Sequence, residues 1–362
     1  QTENQDNQNG SGKTEMAVPS IPPASPTTRQ RRRRLFWGGL LAAIVVVPIS
    51  ATLGWWGTWQ WLQHRSPAET SKSSQTPPSP LFKPKDFEAK SDSEPPPLSL
   101  EFSEEERQRK IALRDRWANL GIDYSLFATM VDQAFYARFP QQQGRSLSDE
   151  PEDELWRERW DGEAKVLLDL LETLDADSIE KLGDYQTSAR QAWKQQVNEL
   201  HVSSSAWFDL VDARFFHYFP NLRQQDLFGT PLGQVWHAIA FDILNNLEQG
   251  NNLKTIQFES DTFTQKVSGE LKPGQGQVYI AFFQKGQGMR TYLQSNGFTL
   301  LSIYTPSGRD NFLEDSSRYS WSGTLPESGY YEIVVVSNDR QSLSYNLQIS
   351  VDRVSQTSSD EI

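Results

Sequence analysis

The chain has 362 residues, 47 of them acidic and 35 basic, for a net charge of −12, and it contains no cysteine. The anionic surplus leaves no cationic footprint of the kind that displaces counterions from nucleic acid. The missing cysteines remove disulfides, thiolate metal sites and thiol nucleophiles together. An aromatic content of 12 %, including 12 tryptophans, supplies core material for two or three domains. Opening on Gln1 rather than Met, the chain is expected to be a processed product or a piece of a longer protein.

Residues 1–34 start as a Gln/Asn/Ser/Thr/Pro-rich stretch, expected to be a disordered arm, and end in Arg29 and the run Arg31–Arg34. From Leu35 to Leu62 no charged residue occurs. About 20 apolar residues in a helix cross a bilayer core, so 35–62 is expected to be a single transmembrane helix. Pro48 is tolerable there as a kink, and Trp37 at one end and Trp55, Trp56, Trp59 and Trp61 at the other read as interfacial belts. The Arg run lies on the N-terminal side, which puts residues 1–34 in the cytoplasm and everything after Leu62 outside the plasma membrane, in the periplasm. Residues 63–102 are rich in Pro and Ser and read as a semi-extended stalk.

The globular part is expected from Ser103, a cap with Glu106 three residues on in the capping-box pattern. From there to residue 250 the periodicity is helical, as in the stripe Leu167, Leu168, Leu171 and Leu174. One helix end is spelled twice, as VDQAFYARFP from Val131 to Pro140 and as VDARFFHYFP from Val211 to Pro220. The alignment runs without a gap from Leu120/Leu200 through Asp132/Asp212, Phe135/Phe215 and Pro140/Pro220 to Pro151/Pro231. One extra helical turn in the first copy then pairs Trp160 with Trp236. Residues 103–250 therefore read as an all-helical domain built from an internal duplication, with copies 103–183 and 184–250. Pairing the copies about a pseudo-twofold would bury both aromatic faces.

After Asn251 the period changes from 3.6 to 2. Segments such as QVYIAFF, MRTYLQS, FTLLSIYTP and YYEIVVVS are separated by KPGQG, KGQG, PSGRD and PESG. Short strands at regular spacing with Gly/Pro turns predict a β-sandwich, jelly-roll-like, over 251–352. Residues 353–362 are a polar tail.

No catalytic, cofactor-binding or metal-ligating motif emerges. The Gly274–Gln277 and Gly286–Gly288 stretches lead into strands, whereas a phosphate loop opens a helix. His64, His201, His217 and His237 form no i, i+4 pair. Asp132 and Asp212 are the polar pair kept in both copies of an aromatic helix. They read as structural carboxylates that cap a neighbouring helix or pair with Arg; catalytic paired carboxylates are the alternative. Asp310, Glu314 and Asp315 form either a solvated acidic loop or an oxygen-ligand site for Ca²⁺. The loops TPSGRDNFLED and SWSGTLPESG carry Phe312, Tyr319 and Trp321 beside Asp310. These four residues are the candidate binding face, with Trp321 as a core filler the competing reading.

The segment VSGELKPGQGQVYIAFF…FTLLSIYTPSG…WSGTLPESGYYEIVVVS resembles the bacterial pre-peptidase C-terminal family of β-sandwiches, an accessory or binding module of secreted and membrane proteins. The wider order of basic run, membrane span, duplicated helices and sandwich is similar to the C-terminal half of cyanobacterial receptor-type Ser/Thr protein kinases. Phe139-Pro140, Gly144-Arg145, Leu147, Pro151 and Trp160 carry that resemblance, followed by Phe219-Pro220, Leu227, Pro231 and Trp236. Gln224-Gln225 replaces Gly-Arg in the second copy. The kinase domain itself is missing, so the resemblance implies a non-enzymatic, membrane-anchored sensor or interaction module of a kinase. The alternatives are a free-standing single-pass envelope scaffold and an envelope hydrolase. Expected partners are the membrane and an envelope protein or polymer, with a homodimer open and no nucleic acid; no cofactor is expected.

Overall fold

A computed structural model describes residues 94–259 and 262–352. The expected cytoplasmic arm, the 35–62 span, the linker up to residue 93 and the 353–362 tail lie outside the described residues. Among the described residues no helix is long and apolar enough to cross a membrane.

Helices come first: α1 (Glu104–Leu120), α2 (Tyr124–Arg138), α3 (Glu154–Leu171), α4 (Ala176–Glu180), α5 (Ala189–Glu199), α6 (Ser204–Tyr218) and α7 (Pro231–Glu248). Ser103 caps α1 by accepting the Glu106 N–H. Glu106 does not close the reciprocal half of the expected capping box. Its carboxylate is buried and accepts two bonds from the Arg157 guanidinium in α3, at 2.7 and 3.0 Å. Charge holds the rest of α1 on α3 as well, through Lys110–Asp161 at 2.9 Å and Arg116–Asp169 at 2.8 Å.

The doubled sequence has a doubled geometry. Asp123 and Ser203 cap α2 and α6 by accepting N–H bonds from Leu126 and Ala206. Phe139 and Phe219 end them with φ/ψ of −125°/67° and −122°/61°, because the residue before a proline is pushed out of the helical region. A 3₁₀ turn follows each, Pro140–Gln142 and Pro220–Leu222. Phe135 and Phe215 are 1 % and 0 % exposed.

The β region forms two sheets. One has the order β1 (Leu253–Thr255), β3 (Gly276–Phe283), β8 (Gly329–Ser337), β5 (Thr299–Tyr304), β6 (Asn311–Ser316). The other has the order β2 (Thr264–Leu271), β9 (Leu343–Val351), β4 (Gly288–Ser295), β7 (Ser320–Thr324). All pairs are antiparallel except β1 with β3. Leu301, Ile303, Tyr331 and Val335 of the first sheet share a core with Met289, Leu293, Leu347 and Ile349 of the second. The Tyr279 and Tyr345 hydroxyls meet at 2.7 Å between them.

Helices and sandwich belong to one compact unit. Val278, Ile280, Tyr304, Val334 and Val336 turn away from the sandwich core and join the helical core, and α6 lies against β3, β5 and β8. The five-stranded sheet is therefore covered on both faces, which is why β3 and β8 read as continuous apolar runs. The other sheet has a solvated outer face, and β2, β4 and β9 alternate buried with exposed positions. The KPGQG turn docks on α6. A Cβ at Gly274, where φ is +69°, would sit 2.8 Å from the His217 Cβ, and one at Gly276 would sit 2.5 Å from a Leu210 methyl.

Candidate functional site

Asp132 and Asp212 have the same partner in each copy, and it is neither an arginine nor a helix end. Trp160 Nε1 donates to Asp132 at 2.7 Å and Trp236 Nε1 donates to Asp212 at 2.8 Å. Burial pushes both carboxyls above the usual range, and the indole N–H pulls each back in part. The two aspartates lie on separate helices, each bonded to its own tryptophan.

In the first copy an open cavity adjoins this arrangement. A groove of about 430 Å³ lies between α1, α2 and α3, walled by Phe102, Leu113, Trp117, Tyr124, Phe127 and Trp160. At the repeat offset Leu113 stands where the second copy has Trp193, and Phe127 where it has Trp207. Trp193 is 8 % exposed and Trp207 fully buried, and their rings meet edge to face at 6.3 Å. The second copy thus carries two indoles where the first has a leucine and a phenylalanine, while Val197 and Ser204 stand where the first has Trp117 and Tyr124.

The groove has a cover. Pro96, Pro97 and Leu98 line its outer side, and the Arg114 guanidinium donates to the Pro96 carbonyl. The end of the expected stalk is therefore not free chain but a strap on α1. The Trp117 ring lines the groove and packs edge-on against Tyr124 at 5.4 Å, while its indole N–H is buried away from solvent without a hydrogen-bond partner. Of the lining carboxylates, Asp132 accepts from Trp160 and Asp161 from Arg109 and Lys110, and Asp149 is exposed.

The residues expected to form a binding face on the sandwich sit differently. Phe312 lies in β6, Trp321 in β7 and Tyr319 just before it, all half-buried against the sandwich core. Phe312 and Trp321 stack at 4.2 Å with their planes 2° apart. These two edge strands belong to different sheets, so the stack closes the open side of the sandwich. Asp310 is exposed. Asp310, Glu314 and Asp315 do not converge: among the described residues no group of three such side chains has the geometry to hold a metal. Glu314 accepts from the Asn311 amide instead. A depression of about 420 Å³ on the second sheet has Arg290, Tyr292, Gln348 and Trp321 along its margin.

Two carboxylates at the helix–sandwich junction escaped the sequence reading. Glu332, in β8, accepts from both the backbone N–H and the hydroxyl of Ser203, at 2.9 and 2.7 Å. Asp209, in α6, accepts the Tyr304 hydroxyl at 2.9 Å. Burial pushes each to about 7, and the nearby charge of Asp315 adds to the shift at Asp209. Glu332 had a signal, as the lone charge inside YYEIVVV. The mismatch of Leu113 with Trp193 was the signal for the groove.

No protein-family model matches the chain. A curated relative, the serine/threonine-protein kinase-like protein E of Synechocystis, is 28 % identical over 323 residues, covering 84 % of this chain and 48 % of that protein. The chain thus spans about half the length of the curated relative it matches. Among solved structures, a periplasmic inhibitor of g-type lysozyme from Aeromonas hydrophila is 18 % identical with a TM-score of 0.25, over 28 % of this chain and 96 % of that one. The Salmonella Typhimurium inhibitor is 20 % identical with a TM-score of 0.24, over 28 % and 98 %. The pre-peptidase C-terminal domain of a Bacillus anthracis collagenase is 13 % identical with a TM-score of 0.22, over 28 % and 94 %. Likeness at this level carries no functional argument, and the sandwich rests on its own strand order. In sequence the chain is similar to about half of a Ser/Thr kinase-like protein.

Proposed function

We propose that this chain is the non-catalytic recognition part of a Ser/Thr kinase-like protein, held by a transmembrane helix at 35–62 with its helices and sandwich outside the plasma membrane. In this reading the helical region is a duplicated unit whose second copy is a filled, structural one and whose first copy binds. The likeness to a kinase-like protein over most of the chain supports the assignment. The groove carries it: the first repeat holds an aromatic-walled cavity of about 430 Å³, and at the offset of its wall residues Leu113 and Phe127 the second repeat has two packed tryptophans. An envelope protein or polymer is the partner. The sequence encoded upstream of Gln1 separates a kinase from a free-standing scaffold.

The test is retention. Immobilised full chain is expected to hold one or more envelope components that the Leu113→Trp chain, its groove plugged as in the second copy, does not hold. Equal retention by the two, or none by either, overturns the reading. A second reading puts recognition on the sandwich, because Tyr292 is 49 % exposed at the depression that Trp321 borders. Retention kept by Leu113→Trp and lost by Tyr292→Ser would favour it.

A further inference from the structure

Resting on that reading of the groove, we propose that its ligand is a proline-rich extended protein segment, and that the chain's own Pro95–Leu98 occupies the site in cis. The strap already shows the mode of contact. Pro96, Pro97 and Leu98 line the cavity together with the aromatic walls, and Arg114 donates to the Pro96 carbonyl.

The chemistry of the groove fits this ligand class. A polyproline helix makes no internal hydrogen bonds, so its carbonyls are free acceptors, and each proline lacks the N–H that burial would strand. A complementary site needs aromatic faces for the rings and donors for the carbonyls, and it needs no acceptors. The groove presents Trp117, Tyr124 and Trp160 as faces. Its donor to the strap is the Arg114 guanidinium. Asp132 and Asp161 on its floor already accept bonds from Trp160, Arg109 and Lys110, and Asp149 lies at its exposed margin.

The strap fits loosely. The cavity of about 430 Å³ remains under it, and the Trp117 N–H is unsatisfied with the strap in place. A better-fitting proline-rich segment would displace it, and the strap reduces apparent affinity by the fraction of time it closes the site.

The probe is a fluorescent synthetic peptide with the sequence SEPPPLSL of residues 93–100, with its proline-to-glycine analogue as control. Both are titrated into the full chain and into a strap variant carrying Pro95→Ser, Pro96→Ser and Pro97→Ser. The strap variant is expected to bind the probe about tenfold more tightly than the parent, as for a strap closed about 90 % of the time, and the glycine analogue about tenfold more weakly than the probe. Adding Leu113→Trp to the strap variant should abolish binding. Adding Arg114→Gln, which removes the guanidinium that donates to the Pro96 carbonyl, should weaken it several-fold, and the probe should shift the Trp117 indole proton resonance in the strap variant, since that ring lines the groove.

No gain on opening the strap, equal binding of the glycine analogue, or indifference to both Leu113→Trp and Arg114→Gln overturns the proposal. If the probe fails while Leu113→Trp still removes retention of envelope components, the proline assignment falls and the groove reading stands. If Leu113→Trp affects neither, both fall.

Discussion

The aspartate–indole bonds show one residue keeping the same partner in both copies of the repeat. Asp132 and Asp212 each sit on an aromatic helix, and each binds the tryptophan of the next long helix. Removing the donor leaves a buried carboxylate without its partner, so Trp236→Phe should destabilise by about 1–3 kcal/mol in urea unfolding. The same substitution at Trp160 should cost less, because the neighbouring groove admits water to Asp132. A larger loss at Trp160 than at Trp236 would contradict that account. Phe215→Ala should cost about 3–5 kcal/mol, since the ring is fully buried and packs on Phe216 and Phe219 at 5.3 and 5.2 Å. A loss below about 1 kcal/mol would mean the site relaxes around the cavity.

At the scale of elements, much was legible and some was not, for identifiable reasons. Helix starts and stops follow local chemistry that a sequence displays: Ser103, Asp123 and Thr230 as caps, and Pro140 and Pro220 just past the ends of α2 and α6. The strands were visible as runs between Gly/Pro turns. What stayed hidden depends on which surfaces meet. The Phe312 and Trp321 segments looked like exposed loops because Asp310, Glu314 and Asp315 surround them. They are edge strands whose rings stack between the sheets. Glu106 looked like a capping-box partner and is a buried ion-pair partner of Arg157, because α1 has few apolar residues and must dock on α3 by charge. The docking of α6 on the five-stranded sheet left a readable trace in Gly276, where a side chain would strike Leu210 and Val336. Gly276→Val should separate helix from sheet and destabilise by about 1–3 kcal/mol, with faster amide exchange in α6 and β3. Unchanged exchange there would show that the contact is yielding.

At the scale of the whole molecule, the layers run helix, sheet, sheet, and two carboxylates lie at the first boundary. Glu332 is 4 % exposed and held by Ser203, while Asp209 is half-buried and held by Tyr304 beside Glu314 and Asp315. Both are pushed up to about 7 in the folded protein, against about 4 for unfolded carboxylates. Between those values the folded state binds more protons than the unfolded one, so this contribution is fully present below about pH 4 and is lost as pH rises through about 7. Other groups act in the opposite sense. Burial lowers His217 and His237, which costs stability as pH falls below about 6.5. Hydrogen bonds lower Asp153, Glu327 and Asp339, which costs stability below about pH 4. The parent's melting profile is therefore a sum of opposed slopes, and a difference measurement isolates the junction. Glu332→Gln keeps an acceptor for Ser203 and cannot ionise. Its stability relative to the parent should be near zero at pH 4.5, rise through pH 7 and level off above pH 8. A pKa shift of that size limits the gain to about 3 kcal/mol. Asp209→Asn should show the same sign with a smaller amplitude, because water reaches part of its carboxylate. A difference for Glu332→Gln that is flat across the range, or that falls with pH, would mean the junction carboxylate is ionised in the folded protein and held by Ser203 as a charge.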